Sequence, residues 1–216
     1  MTDFALRRRM MVDTQVRPAD VTKYPIIEAM LAVPRENFVP DGQVEAAYAD
    51  QNLVLGEGRE LFEARTLAKM LDALDLQNDE LVLDLGCGLG YSTAVIARMA
   101  QMVIGVETEE LGGDAQEALI EAGSDNAVVH LGDLTEGAQE HGPYDVIIVE
   151  GGVEDLPASI TDQLKEGGRI AALFVTGALG EVKIGYKTGG AISWRFAFNA
   201  GAPVLPGFAK ATEFAL

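Results

Sequence analysis

The chain has 216 residues, of which 48% are hydrophobic, so it can bury a full core as one domain with at most a small appendage, and it is not a disordered protein. Its 16 Lys and Arg residues stand against 34 Asp and Glu residues, which gives a formal net charge of −18. The negative electrostatic field of this charge repels phosphate backbones and anionic lipids, so we expect neither nucleic acid nor a membrane surface as a partner.

Residues 1–78 are predicted to form an N-terminal helical cap. Asp41 is predicted to cap a helix over 42–48, and no strand is predicted in this segment. Apolar residues at helical spacing predict two further helices, over 24–33 and 61–74, through Tyr24, Ile27, Met30, Leu31, Leu61, Leu67, Met70, Leu71 and Leu74.

From Glu80 onward, short apolar runs alternate with helical stretches. This alternation is typical of βαβ units and predicts an α/β fold with a doubly wound, mostly parallel sheet. Two later runs flank the turn "TGG" and predict antiparallel strands at the sheet edge. Residues 79–216 are expected to form this α/β domain and to make one compact unit with the cap. The predicted strands cover 81–85, 102–106, 127–131, 145–149, 169–174, 181–187 and 191–198, and the helices cover 91–100, 108–122 and 157–164.

The junction between the first of these strands and its helix reads "LVLDLGCGLGYS", residues 81–92. Its glycines, Gly86, Gly88 and Gly90, allow a tight turn and close approach to a ligand at the carboxyl end of a strand. A dinucleotide fingerprint would need glycine at position 91, where the chain has Tyr91. Asp84 would also repel a pyrophosphate but suits a cationic ligand such as S-adenosylmethionine.

Two more acids follow the next two predicted strands. Glu107 lies 21 residues after Gly86, close to the interval at which an acid accepts hydrogen bonds from ribose hydroxyls. Asp133 could accept a hydrogen bond from an adenine amine. Each acid alone is as well explained as a cap or turn residue. Their joint occurrence at successive strand ends favours a nucleoside cofactor site.

Cysteine and histidine are scarce in this chain. The single cysteine, Cys87, cannot form an intrachain disulfide, which is typical of a cytoplasmic protein, and it is expected to pack in the turn without acting as a nucleophile. With only His130 and His141 beside it, no metal site is expected. No apolar stretch reaches the length of a signal peptide or a membrane span.

Several stretches resemble the protein-L-isoaspartate O-methyltransferase family of Rossmann-like S-adenosylmethionine-dependent methyltransferases. They are "AMLAVPRENFVP" (29–40), "AYADQNLVLGEGRE" (47–60), "LVLDLGCGLGYSTAVIARMA" (81–100), "VIGVET" (103–108), "GDLTEGAQEHGPYDVIIVEGG" (132–152) and "LPASITDQLKEGGRIA" (156–171). The 81–100 stretch indicates a methyltransferase in general. The 29–60 and 132–171 stretches point to this family.

The resemblance implies S-adenosyl-L-methionine as cofactor and S-adenosyl-L-homocysteine as product. It implies that Glu107 binds the ribose and that Asp133 with Leu134 binds the adenine end. The implied cofactor site comprises Asp84, Gly86, Cys87, Gly88, Gly90, Tyr91, Ser92, Glu107, Thr108, Asp133, Leu134 and Glu150.

The chain departs from the family pattern in the loop that covers the active site. Phe62 stands where the family usually has a serine and Ala64 where it has a proline, so the chain is expected to be a divergent member that lacks the loop serine. The usual "GDG" is "GDL", and Glu150 replaces a small residue. The predicted substrate-binding residues are Arg59, Phe62 and Arg65.

The resemblance implies methylation of the α-carboxylate of isoaspartyl residues in damaged proteins. A carboxylate is already ionised at pH 7 and needs no general base, so no catalytic residue is assigned. Arg59 and Arg65 could clamp it, or could merely balance nearby acids. Two alternatives stay open: a non-catalytic S-adenosylmethionine-binding protein, and a methyltransferase for a small-molecule acceptor with Glu150 or Glu63 as base. The sequence does not determine the oligomeric state.

Overall fold

A computed structural model describes residues 3–210 of the chain, so the predicted α/β domain, 79–216, extends past the described part at its C-terminal end. The helices are α1 (Phe4–Met11), α2 (Tyr24–Ala32), α3 (Ala64–Leu74), α4 (Tyr91–Ala97), α5 (Glu109–Glu121) and α6 (Ala158–Thr161). The strands are β1 (Leu53–Gly56), β2 (Arg59–Leu61), β3 (Leu81–Leu85), β4 (Met102–Glu107), β5 (Ala127–Leu131), β6 (Tyr144–Val153), β7 (Leu164–Thr176), β8 (Leu179–Thr188) and β9 (Ala191–Asn199). None of these helices is long and apolar enough to cross a membrane.

The strands from β3 onward form one sheet in the order β5-β4-β3-β6-β7-β8-β9. Neighbours from β5 to β7 run parallel, while β8 and β9 are antiparallel additions at one edge. The strand order reverses between β3 and β6, which opens the ligand crevice of a doubly wound sheet at their carboxyl ends. The predicted fold class is confirmed.

Alternating side chains of the central strands enter two hydrophobic clusters, one on each face of the sheet. Val82 and Val103 belong to one cluster, whereas Leu83 and Ile104 belong to the other. The buried residues of α2 and α3 join the first cluster, together with the whole apolar surface of α4. The N-terminal helices therefore share a core with the sheet instead of forming one of their own.

The structure corrects several predicted elements. A short antiparallel hairpin, β1–β2, occupies the segment where no strand was predicted. Residues Asp41–Ala46 form a 3₁₀ helix in which Asp41 is the first residue and makes no side-chain cap, so that predicted cap was wrong. In α2, Tyr24 is 72% exposed and Leu31 is 38% exposed, because Ile26 takes the inward position beside Ile27 and Met30. The predicted apolar residues of the 61–74 segment are all buried, but Leu61 lies in β2 and the helix begins only at Ala64.

Candidate functional site

The glycine turn joins β3 to α4 next to the point where the strand order reverses. Gly86, Gly88 and Gly90 all have positive φ, at 78°, 59° and 93°, a region that other residues adopt with strain. A Cβ at Gly86 would lie 2.9 Å from Nη1 of Arg59. Glycine is therefore required at this position both by the backbone conformation and by the side chain packed against it.

Asp84, in β3, is completely buried beneath this turn. Its Oδ2 accepts hydrogen bonds from Oγ of Ser92 at 2.7 Å and from Oγ1 of Thr93 at 2.6 Å. Its Oδ1 has no hydrogen-bond partner among residues 3–210. Burial raises the pKa of Asp84 to about 6, against the opposing effect of the two hydroxyl donors. One buried carboxylate oxygen is thus left to meet a cationic or donor group of a ligand.

Glu107, the last residue of β4, holds the turn from the other side. Its Oε2 accepts a hydrogen bond from the backbone N–H of Gly88 at 2.7 Å, and its Oε1 accepts one from the N–H of Thr108 at 3.0 Å. The carboxylate is 0% exposed and also forms an ion pair with Nη2 of Arg59. The acid predicted to bind a ribose is therefore already engaged by a cation of the same chain.

Arg59 reaches this carboxylate from β2 of the small hairpin. The sequence assigned Arg59 to the acceptor, but the structure places its guanidinium against Gly86 and Glu107, inside the predicted cofactor site. Its Nε and Nη1 make no hydrogen bond within the described part of the chain, although both are buried. Such donors favour a partner that a ligand or a local rearrangement supplies.

Glu150 lies in β6, one position beyond Val149, which pairs with Leu85 of β3. It is 4% exposed, and its Oε1 lacks a partner among residues 3–210. Burial, reinforced by the negative charge of Asp84, raises the pKa of Glu150 well above its ordinary value. Burial likewise raises the pKa of the Cys87 thiol, so that side chain is not an activated nucleophile.

Arg35 is a functional candidate that the sequence reasoning missed. It is 1% exposed, its Nε donates to the carbonyl of Ala47 at 2.7 Å, and its Nη2 donates to the carbonyl of Phe62 at 2.6 Å. Its guanidinium also stacks 4.6 Å from the centre of the Tyr91 ring. Arg35 therefore fixes the loop at 62 to the first turn of α4, and burial lowers its pKa.

The other two predicted substrate residues lie in different environments. The Phe62 side chain is 1% exposed and packs in the hydrophobic cluster that α3 and α4 share. Arg65 is half exposed and donates to both carboxylate oxygens of Glu63, at 2.7 and 3.1 Å. Arg65 and Lys69 line a surface cavity of about 720 Å³ that borders the loop.

A second cavity, of about 510 Å³, lies at the carboxyl ends of β4 and β5. Its lining includes three of the predicted cofactor-binding residues: Asp133 and Leu134, which were predicted to bind the adenine end, and Thr108. Asp133 accepts hydrogen bonds at Oδ1 from the N–H of Thr135 at 2.9 Å and from its Oγ1 at 2.8 Å. These bonds lower the pKa of Asp133, which keeps an acceptor at the cavity wall.

Comparisons with known proteins agree on one family. Residues 7–177 match the model of the family described as Protein-L-isoaspartate(D-aspartate) O-methyltransferase. A protein-L-isoaspartate O-methyltransferase of Syntrophus aciditrophicus is 39% identical over 171 residues, which are 79% of this chain and 78% of that protein. One of Roseiflexus sp. is 38% identical over 169 residues, or 78% of this chain and 77% of that protein.

Solved structures show the same fold. A protein-L-isoaspartate O-methyltransferase superposes with a TM-score of 0.82 at 24% identity, over 93% of this chain and 66% of that one. A Plasmodium falciparum protein described as a member of this family, in complex with S-adenosyl-L-homocysteine, superposes with a TM-score of 0.79 at 20% identity, over 95% of this chain and 99% of that one. At these identities, the superpositions establish the fold.

Proposed function

The chain belongs to the protein-L-isoaspartate(D-aspartate) O-methyltransferase family, and we propose that it transfers a methyl group from S-adenosyl-L-methionine to the α-carboxylate of isoaspartyl residues in damaged proteins or peptides. One observation carries this proposal. The glycine turn, the buried acids Asp84 and Glu107, and the cavity beside Asp133 lie together at the carboxyl ends of adjacent parallel strands, where doubly wound sheets bind their ligands.

The residues present fit a cationic nucleoside cofactor. Asp84 Oδ1 and Glu150 Oε1 are buried acceptors without a partner in the described chain, and such groups are stabilised by a donor or a positive charge. The 510 Å³ cavity between Thr108 and Leu134 offers room for the adenine end. When bound, S-adenosyl-L-methionine supplies a methyl group on a positively charged sulfur.

The Arg59 side chain must move before this cofactor can bind. Its guanidinium pairs with Glu107 and packs against Gly86, where the methionine end of the cofactor is expected. We propose that the cofactor replaces this internal cation, so that Glu107 changes its partner from Arg59 to the ribose hydroxyls. The short hairpin β1–β2 that carries Arg59 lies outside the main sheet, so its displacement breaks no strand pairing of that sheet.

The released Arg59 is then available to the acceptor. Its Nε and Nη1 have no partner in the described chain, and once Nη2 leaves Glu107 it can bind a carboxylate through two parallel hydrogen bonds together with either of them. Arg65 is a weaker candidate for this role because its Nε and Nη2 already donate to Glu63 and its Nη1 lies 3.9 Å from Oδ2 of Asp50. We therefore assign the acceptor clamp to Arg59 and leave Arg65 at the rim of the substrate approach.

An ionised carboxylate attacks without a general base, so the protein contributes alignment and exclusion of water. Burial and the negative charge of Asp84 raise the pKa of Glu150 well above its ordinary value. Transfer to an ionised carboxylate asks no proton transfer of this group, whereas a phenol or amine acceptor would. We also place the protein in the cytoplasm, in keeping with its single cysteine.

The decisive assay uses two peptides that differ only in whether one residue is isoaspartyl or aspartyl. Incubation with methyl-labelled cofactor should give a base-labile ester on the isoaspartyl peptide and none on its twin. Cofactor binding without transfer to either peptide would support the non-catalytic alternative instead. Transfer to both peptides equally would refute recognition of the isoaspartyl group.

A further inference from the structure

The two histidines of the chain are brought together by the fold at the edge of the sheet. His130 lies in the edge strand β5, and His141 lies in the 3₁₀ turn Gln139–His141, 11 residues later. Their ring centres are 5.6 Å apart at an interplanar angle of 77°. Glu140 stands between them: its Oε1 is 3.5 Å from Nδ1 of His130 and 3.6 Å from Nε2 of His141.

The distances from the Glu140 oxygen to the two histidine nitrogens are longer than hydrogen bonds and close to the distances between ligand atoms of one metal ion. Ordinary N–H···O bonds measure about 2.7–3.2 Å. Two ligand atoms that each lie about 2.0–2.1 Å from a tetrahedral zinc ion are about 3.4 Å from one another. All three ligand atoms of the cluster lie within 4.8 Å of one another. The remaining nitrogen–nitrogen distance is at most 4.8 Å, and the His141 side chain is 38% exposed.

The backbone that carries these ligands is braced on several sides. The carbonyl of Ala138 accepts hydrogen bonds from the Tyr144 hydroxyl at 2.6 Å and from the N–H of His141 at 3.1 Å. The N–H of Ala138 in turn donates to Oε1 of Gln163 at 3.1 Å. A cation therefore need only order side chains, which keeps the entropic cost of binding small.

We propose that His130, Glu140 and His141 form a zinc site with an open fourth position. Two imidazoles and one carboxylate form a ligand set that zinc uses in open sites with a bound water. Imidazole also selects zinc over magnesium or calcium, which prefer oxygen ligands. The net charge of −18 raises the local concentration of divalent cations. The sequence analysis weighed the two histidines with Cys87 alone and did not consider Glu140 as a ligand.

This site is distinct from the predicted cofactor site but adjoins its nucleoside end. His130 directly precedes Leu131 and Gly132, both of which line the 510 Å³ cavity. A zinc ion would tie this wall of the cavity to the 3₁₀ turn Gln139–His141. The proposal stands on the cluster alone and does not depend on the methyltransferase proposal.

The test uses the full chain without a polyhistidine tag, stripped of metal by a chelator and titrated with Zn²⁺ near pH 7.5, because an imidazole must be neutral to bind a metal ion. Because the chain has two histidines, a long-range ¹H–¹⁵N spectrum shows two imidazoles only. We expect saturation at one equivalent, with ring-nitrogen shifts at Nδ1 of His130 and at Nε2 of His141. Ring signals that do not move in excess Zn²⁺ would overturn the proposal.

Three variants test whether Zn²⁺ binds at this cluster or only to the acidic surface in general. His141→Ala and Glu140→Gln alter exposed side chains, so the fold should persist, and each should weaken Zn²⁺ binding more than ~10-fold, the least that loss of an outer-shell partner usually costs. Glu121→Gln removes the same charge from an exposed site on α5 and should leave the affinity unchanged. Equal affinity in His141→Ala and in the unaltered chain would refute the site.

Discussion

Arg59 and Glu107 form a buried ion pair that spans 48 residues of sequence and closes the predicted cofactor site with a cation of the chain itself. The arginine comes from the small hairpin and the acid from the end of β4. A buried charge that loses its partner is costly, so neither side chain can leave the pair without a replacement. In the proposed exchange, the ribose hydroxyls of the cofactor replace Arg59 at Glu107, and the acceptor carboxylate replaces Glu107 at Arg59.

The first prediction concerns Arg59→Ala. Removing one partner of a buried pair should lower the free energy of unfolding of the ligand-free protein by about 3–5 kcal/mol, because Glu107 is left unpaired. Saturating S-adenosyl-L-homocysteine should reduce this deficit, since the ligand then hydrogen-bonds Glu107 in both proteins. Urea unfolding with and without the ligand measures both effects. Arg98→Ala, at an exposed position, is the matched control and should change neither value. If the ligand leaves the loss of unfolding free energy in Arg59→Ala unchanged, the proposed replacement of Arg59 by the cofactor at Glu107 is contradicted.

The second prediction concerns pH. Burial raises the pKa of Asp84 to about 6, so the site gains this negative charge as pH rises through that value. Affinity for S-adenosyl-L-methionine should therefore increase between pH 5 and pH 7. Asp84→Asn should bind more weakly and lose most of this dependence, as titration calorimetry across the range would show. An unchanged pH profile in the variant would refute the role of Asp84.

The ionisation of Asp84 should also affect the free energy of unfolding, but in the opposite direction to its effect on cofactor affinity. A carboxyl whose pKa is raised in the folded state destabilises that state when it ionises, so the contribution of Asp84 to the free energy of unfolding should fall as pH rises from about 4 to 6. Asp84→Asn lacks this ionisation, and its stability relative to the unaltered chain should increase over that interval. Urea unfolding at matched pH values measures the difference.

The third prediction concerns Phe62, which the sequence placed at the acceptor. Because its ring is fully packed in the core, Phe62→Ser should cost about 3–5 kcal/mol of unfolding free energy. Phe62→Leu keeps most of the volume and should cost less than ~1.5 kcal/mol. We expect no gain of isoaspartyl methylation in either variant. A higher rate in Phe62→Ser alone would show that the ring blocks the acceptor.

The sequence predicted those parts of the fold and of the site whose residues are close together along the chain or follow a regular pattern of strands and helices. The strand, glycine turn and helix around Asp84 are contiguous, and parallel strands place Glu107 and Asp133 at the same edge of the sheet. The hairpin β1–β2 was missed because its strands have only four and three residues, too few for a period to show. The ranges predicted for β6 and β7 were too short because the hydrogen-bonded pairing of these strands continues beyond their apolar central residues.

Long-range polar contacts could not be predicted. Arg59 and Arg35 stand among charged or polar neighbours in sequence, which is typical of exposed side chains. Arg35 is buried only because the carbonyls of Ala47 and Phe62 converge on it in three dimensions. The pairing of His130 with His141 depends in the same way on how the chain returns after β5.

The most direct measurement of the central claim is a crystal structure of the protein with S-adenosyl-L-homocysteine. Our account predicts that the Glu107 carboxylate contacts the ribose, that the adenine lies in the cavity beside Asp133, and that Arg59 no longer pairs with Glu107. A ligand bound elsewhere, with the Arg59–Glu107 pair intact, would contradict it.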